Sequence, residues 1–191
     1  MLAKIVLPST DMRVAIYGGS FNPPHVAHQL AMTCVLATAR PRVDELWMVP
    51  TFKHPFDKQL APFDDRVRMC ELAARPFAAV RVSRIEEELG GESYTLRTIK
   101  ALRERHPDDA LALVIGADLL GERERWHGWR ELETLVPFIV VGREGQADTG
   151  GLKLPAVSST MVRQRLGGGE SVESLVAADV IDYIAQRGLY R

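Results

Sequence analysis

Two groups of residues in this 191-residue chain are of types and spacings that can do chemistry. The first is the string Gly18-Gly19-Ser20-Phe21-Asn22-Pro23-Pro24-His25-Val26-Ala27-His28. Glycines let backbone amides come close to a ligand, and a helix start offers unpaired N–H groups and the positive end of its dipole to an anion. His25 and His28 are three apart, so on a helix they share a face and can both point at whatever the glycine turn holds. The second group, Ser158-Ser159-Thr160-Met161-Val162-Arg163, sets hydroxyls and free amides at a helix start, with a permanent cation one turn on. Alone, the first is a turn and the second an ordinary N-cap followed by a solvated arginine. Together they suit a chain of phosphates, although phosphate binding alone does not specify a reaction.

These residues need a frame that brings them together. Val14-Ala15-Ile16-Tyr17 reads as a buried strand before the glycine turn, and His25 to Arg40 as the helix after it. Pro23 and Pro24 fit the helix entry, where missing N–H groups cost little. Further strands are expected at Leu46 to Val49, Val80 to Val82, Leu111 to Ile115 and Pro137 to Val141, with a short extended piece around Leu154 to Val157. Helices are expected from an Asp64 N-cap to about Ala74, from Ser93 or Thr95 until Pro107, over Ser158 to Leu166, and along the stripe Val176, Val180, Ile181, Ile184 up to Gly188. This alternation predicts an α/β fold, Rossmann-like, with a mostly parallel central sheet flanked by helices and a small C-terminal helical part. Ligands of such sheets bind beyond the carboxyl ends of strands, where Gly18, Pro50, Gly116 and Gly142 lie. The stretch Pro50 to Pro62 is aperiodic and reads as a functional loop, from which Lys53 and His54 could reach phosphates. Asp118 suits ribose hydroxyls, or simply a helix N-cap, and Trp126 is either a stacking platform or a half-buried core aromatic. Arg81, Arg84 and Glu86 to Glu88 read as surface charge.

Composition narrows the partners. Basic and acidic residues number 24 and 25, so neither nucleic acid nor an anionic membrane surface is an expected partner. No apolar run approaches the roughly 20 residues of a membrane span. Cys34 and Cys70 lack paired spacing and read as reduced core residues, which predicts a cytoplasmic protein; a homo-oligomer is compatible with the sequence. Residues 1 to 11 have no periodic pattern and are expected to be a dispensable flexible extension of a single domain over 12–191. A zinc site built on His25, His28 and His54 lacks a cysteine or carboxylate at ligand spacing.

The first string resembles the G-x-F-x-P-x-H-x-G-H signature of the nucleotidyltransferases related to class I aminoacyl-tRNA synthetases. Gly19, Phe21, Pro23, His25 and His28 match in order, while Ala27 stands where the family has glycine, and its methyl group would narrow the ligand's approach. Ser158, Thr160 and Arg163 match the S-x-T-x-x-R motif of the same superfamily, about 130 residues later. From Arg13 onward the chain is most similar to the bacterial nicotinate-nucleotide adenylyltransferase branch, through Ser93-Tyr94-Thr95, Gly116-Ala117-Asp118, Trp126 and the ending Gly188-Leu189-Tyr190. His127 departs from the further aromatic that relatives often carry.

The resemblance implies that ATP and nicotinate mononucleotide react to deamido-NAD and pyrophosphate, with Mg²⁺ bound through the substrate rather than in a protein cage. It implies catalytic roles for His25, His28 and Arg163. ATP contacts fall to Gly18, Gly19, Ser20, Phe21, Lys53, His54, Gly116, Asp118, Ser158, Ser159 and Thr160, and acceptor contacts to Tyr94, Thr95 and Trp126. The same fold could instead favour nicotinamide mononucleotide, or serve a non-catalytic nucleotide-binding regulator.

Overall fold

A computed structural model of the chain describes residues 12–56, 59–121, 126–142 and 154–191, with the side chains of Asp118 and Leu120 outside the description. The expected N-terminal extension, residues 1–11, also lies outside the described residues.

Five strands, β1 (Arg13–Gly19), β2 (Glu45–Pro50), β3 (Val80–Val82), β4 (Ala110–Gly116) and β5 (Phe138–Val141), form one sheet in the order β3-β2-β1-β4-β5. Every neighbouring pair is parallel; Ile16 of β1 stands beside Trp47 of β2 on one side and Leu113 of β4 on the other. Between them run α1 (Val26–Thr38), α2 (Phe63–Ala74), α3 (Ile85–Leu89), α4 (Thr95–Arg105), α5 (Ala117–Gly121) and α6 (Trp129–Leu135), and α7 (Ser159–Gly167) and α8 (Ala178–Arg187) follow.

Strand side chains alternate between two buried faces, which is why the inner parts of β1, β2 and β4 are apolar. Val14, Ile16, Trp47, Leu111 and Leu113 share one cluster with Ile99 and Leu102 of α4 and Leu132 of α6. Ala15, Leu46, Met48 and Val114 share the opposite one with Met32 and Val35 of α1 and Cys70 of α2. A third cluster, away from the sheet, gathers Ala27 of α1, Met69 and Leu72 of α2, Val162 of α7 and Val180 and Ile184 of α8. It holds the C-terminal helices against the entry of α1.

Several local expectations are corrected. Pro62, not Asp64, is the N-cap of α2, since its carbonyl takes the Arg66 amide at 3.1 Å; Asp64 and Asp65 sit in the first turn, where carboxylates favour the helix dipole. Tyr94 precedes α4, with Thr95 as its first residue. Pro23 and Pro24 lie ahead of the N-cap of α1, which is His25. The short helix α3 buries Ile85 and Glu86, so Glu86 is not surface charge: it occupies the one side of a five-residue helix that meets the fold.

Candidate active site

In the strand order 3-2-1-4-5 the connections run outward in opposite directions from β1 and β4, and a crevice opens between the carboxyl ends of those two strands. A cavity of ≈ 930 Å³ occupies it. Its floor comes from Gly18 and Gly19 of β1, Ile115 and Gly116 of β4 and Val141 of β5, with Ser20, His28 and Thr51 along one wall. Gly18 lies inside β1, one residue before its end, and Pro50 and Gly116 are the last residues of β2 and β4 rather than the residues after them.

The glycine turn is shaped by one aromatic ring. Phe21 is 1% exposed and adopts φ 44°, a left-handed conformation rare outside glycine, so its backbone holds local strain. Its ring packs edge-on to Tyr17 and His28, at 5.5 and 5.0 Å between centroids. A Cβ on Gly19 would stand 3.1 Å from that ring, whereas one on Gly18 would meet open cavity. Gly19 is therefore glycine for packing and Gly18 is glycine facing the ligand space. Phe21, expected at the nucleotide, instead supports the turn from behind.

The two histidines divide their positions. His28 lines the cavity, and its Nδ1 accepts the backbone N–H of His25 at 3.1 Å, half of a capping box at the start of α1. A neutral imidazole that accepts at Nδ1 carries its proton on Nε2, so this contact sets the tautomer of the cavity-facing ring. His25 is 2% exposed, with its ring centroid 3.8 Å from that of His28, and does not line the cavity. The methyl of Ala27 lies in the helix-packing cluster, 1% exposed, not in the ligand space, so it does not narrow the approach.

The late motif reaches the early one through the backbone. Ser158 caps α7 by accepting the Met161 amide at 3.1 Å, Ser159 Oγ donates to the Pro23 carbonyl at 2.8 Å, and Arg163 Nη1 donates to the Asn22 carbonyl at 2.7 Å. Arg163 Nη2 also meets Thr160 Oγ1 at 3.3 Å. None of Ser158, Ser159, Thr160 and Arg163 lines the cavity; Ser159 and Arg163 brace the turn that does.

The far wall holds Ser93, Tyr94 and Thr95, with Trp126 and His127 opposite. Gly128 makes this closeness possible: at φ 73° it caps α6, and a Cβ there would stand 2.3 Å from Leu96 Cδ2. Trp126 meets Trp129 edge-on at 5.7 Å, and His127 lies 4.7 Å from the Tyr94 ring. His54 and the 79%-exposed Phe56 stand at the cavity's edge, while Lys53 is exposed and pairs as a bridge with Glu92, away from the cavity lining. The Asp118 side chain lies outside the described residues.

Two charged residues at the site escaped the sequence reading. Arg66 is 1% exposed and directs Nε to the Ala61 carbonyl at 2.9 Å, Nη1 to Ser20 at 3.0 Å and Nη2 to Phe52 at 3.4 Å; burial lowers its pKa. Glu86, 9% exposed, lines the cavity and accepts from Phe52 N–H at 3.1 Å and Thr98 Oγ1 at 3.0 Å; burial raises its pKa against those hydrogen bonds. Neither has a local signature, because both owe their burial to chain segments far off in sequence.

Comparison with known proteins follows the same lines. The cytidylyltransferase-like family model matches residues 16–165. A "Probable nicotinate-nucleotide adenylyltransferase" of Anaeromyxobacter dehalogenans strain 2CP-1 is 48% identical over 187 residues, covering 96% of this chain and 99% of the relative. Another so named, from Myxococcus xanthus, is 42% identical over 182 residues, 94% of this chain and 95% of that one. The Plasmodium falciparum nicotinic acid mononucleotide adenylyltransferase complexed with NaAD superposes with a TM-score of 0.81 at 21% identity, covering 94% of this chain and 97% of that one, a likeness of fold.

Proposed function

The chain belongs to the cytidylyltransferase-like family, among its nicotinate-nucleotide adenylyltransferases, and from that premise we propose how its residues carry the reaction. The reaction moves AMP from ATP to nicotinate mononucleotide. A phosphate oxygen of the mononucleotide attacks the α-phosphorus of ATP, the bond to the β-phosphate oxygen breaks, and pyrophosphate leaves with that electron pair. No covalent intermediate on the protein is required, so catalysis rests on alignment and on stabilising charge at the leaving oxygens.

The observation that carries this reading is a single ≈ 930 Å³ cavity running from Gly18, Ser20 and His28 to Thr95 and Trp126, within the size range of ligand sites and lined at its two ends by different chemistry. At the first end the turn amides and the Nε2–H of His28 would meet the triphosphate, with His25 fixing the His28 ring and supplying the helix N-terminus. Arg163 and Ser159 would keep the turn in place, and Arg163 would add positive charge beside the leaving phosphates. Gly116 leaves room for the nucleoside over the end of β4. At the other end Trp126 would stack on the pyridine ring, with Thr95 and Tyr94 toward the nicotinate carboxylate. Mg²⁺ would arrive on ATP as part of the substrate, held mostly by phosphate oxygens and water. No helix among the described residues is long and apolar enough to cross a membrane.

Incubating the protein with ATP, Mg²⁺ and each mononucleotide while following pyrophosphate tests the reading. Release with nicotinate mononucleotide is expected. No release with either acceptor overturns the reaction, and faster turnover of the amide overturns the choice of acceptor.

A further inference from the structure

Glu86 is a carboxyl group buried in the wall of a cavity that is to hold a ligand. Its oxygens are met by neutral donors: the Phe52 amide at 3.1 Å, Thr98 Oγ1 at 3.0 Å and the Ser93 hydroxyl. The Ser93 oxygen itself accepts the Phe52 and Lys53 amides at 2.9 and 3.2 Å, so its hydrogen is left for Glu86. The Phe52 amide, shared with Ser93, and the hydroxyls of Ser93 and Thr98 favour the ionised form of this carboxyl group, but burial is the larger effect and raises its pKa, so the protein alone leaves the charge under-compensated. Arg66 acts on Glu86 through space, but its Nε and both Nη atoms are each turned to a carbonyl. Structural duty alone does not require a charge here, because serine or threonine oxygens could accept the same amide. A buried carboxylate whose hydrogen bonds do not repay its desolvation is stabilised by a cation placed in the cavity that it lines.

Glu86 shares the cavity wall with Ser93, Thr95 and Trp126, the residues placed above at the acceptor's ring. The pyridine ring of a pyridine mononucleotide is alkylated at nitrogen by the ribose and is therefore a permanent cation. We propose that Glu86 is a specificity-determining residue, the counter-charge that selects a cationic pyridinium ring over a neutral aromatic of the same shape. Trp126 adds a π face to the same cation. The inference rests on the acceptor reading above and deepens it: Thr95 and Tyr94 answer the substituent on the ring, Glu86 the ring itself.

The test compares two acceptors, nicotinate mononucleotide and its C-nucleotide isostere in which a neutral benzoate ring replaces the pyridinium, by their Kd in the presence of a non-hydrolysable ATP analogue. Wild type is expected to bind the charged ring more tightly. Glu86→Gln should lower the charged-to-neutral preference by about tenfold or more, whereas Glu86→Asp, which keeps the charge, should retain most of it. An unchanged preference in Glu86→Gln overturns the proposal, as do equal affinities in wild type should that variant fail to fold. Turnover of nicotinate mononucleotide together with an unchanged preference would sink the role of Glu86 alone; absence of both turnover and acceptor binding would sink the acceptor reading with it.

Discussion

Arg163 donates from Nη1 to the carbonyl of Asn22 at 2.7 Å, joining residues 141 positions apart. Asn22 is also held by its side chain, whose Oδ1 accepts the Ala61 amide at 3.1 Å and the Tyr190 hydroxyl at 2.7 Å. The residue at the bend of the glycine turn is thus tied to the loop before α2, to α7 and to the C-terminal end of the chain. Arg163→Ala should lose about 1–2 kcal/mol of stability, the range for a hydrogen bond to a charged group reduced for partial exposure. On the reading that Arg163 also serves the leaving phosphates, kcat should fall by about 10²-fold beyond any effect of unfolding. Denaturant melts beside single-turnover rates separate the two; a variant that loses stability but keeps its rate would make Arg163 a brace only.

His28 couples a cap to a catalytic position, and the two can be pulled apart. His28→Ala removes the acceptor of the His25 amide, at a cost of about 1 kcal/mol, and should slow the chemical step by about 10²–10³-fold. Glutamine at this third helical position can accept the same amide. His28→Gln should therefore regain the stability without regaining the rate. Equal recovery of both would mean that the cap alone serves fold and rate, and that the reaction does not need the imidazole.

The sheet and its flanking helices were legible because strands buried on both faces must be apolar, as Leu111 to Ile115 are, and because parallel strands need helices between them. The ligand end of the sheet was legible for the same reason: Gly18 and Gly116 interrupt apolar runs. Helix α3 was not, since five residues with three consecutive glutamates show no periodicity, and the burial of Glu86 is decided by Phe52, Ser93 and Thr98, which meet it from other segments. Arg66 and Asn22 are polar residues whose work is to hold distant carbonyls and amides, a property without local pattern. The division between His25 and His28 was equally hidden: spacing sets both on one side of a helix, but the capping contact at His25 turns only one ring into the cavity wall.

Adjacent glycines should respond differently to alanine. At Gly19 the new methyl would press on the Phe21 ring at 3.1 Å, and that ring, 1% exposed between Tyr17 and His28, has little room to give. Gly19→Ala should cost about 1–3 kcal/mol, as overpacking does. At Gly18 the methyl meets only cavity, so Gly18→Ala should leave the melting temperature almost unchanged while raising the KM for ATP. Thermal melts with initial rates decide it, and a Gly18→Ala enzyme with normal KM would move the triphosphate away from this part of the turn.

Asp65 gives the protein a defined response to acid. It is 3% exposed and accepts the Tyr183 hydroxyl at 2.7 Å and Arg187 Nε at 2.9 Å, joining α2 to α8. Burial by itself raises its pKa, but the hydrogen bonds from Tyr183 and Arg187 outweigh it and hold the carboxyl below its ordinary value. A folded-state pKa below the unfolded one means that the unfolded chain takes up the proton first. The stabilisation is thus complete above the unfolded value, near about 4, and is lost as pH falls through the lower folded value. Asp65→Asn should be less stable than wild type at pH 7 by about 1–3 kcal/mol, since an amide in a carboxylate's place weakens both bonds. Its disadvantage should shrink as the medium is acidified below about pH 4. Urea melts of both proteins across this range measure the gap directly; a gap that stays constant with pH would show that Asp65 does not titrate differently in the folded state, and that the bridge between α2 and α8 owes nothing to its charge.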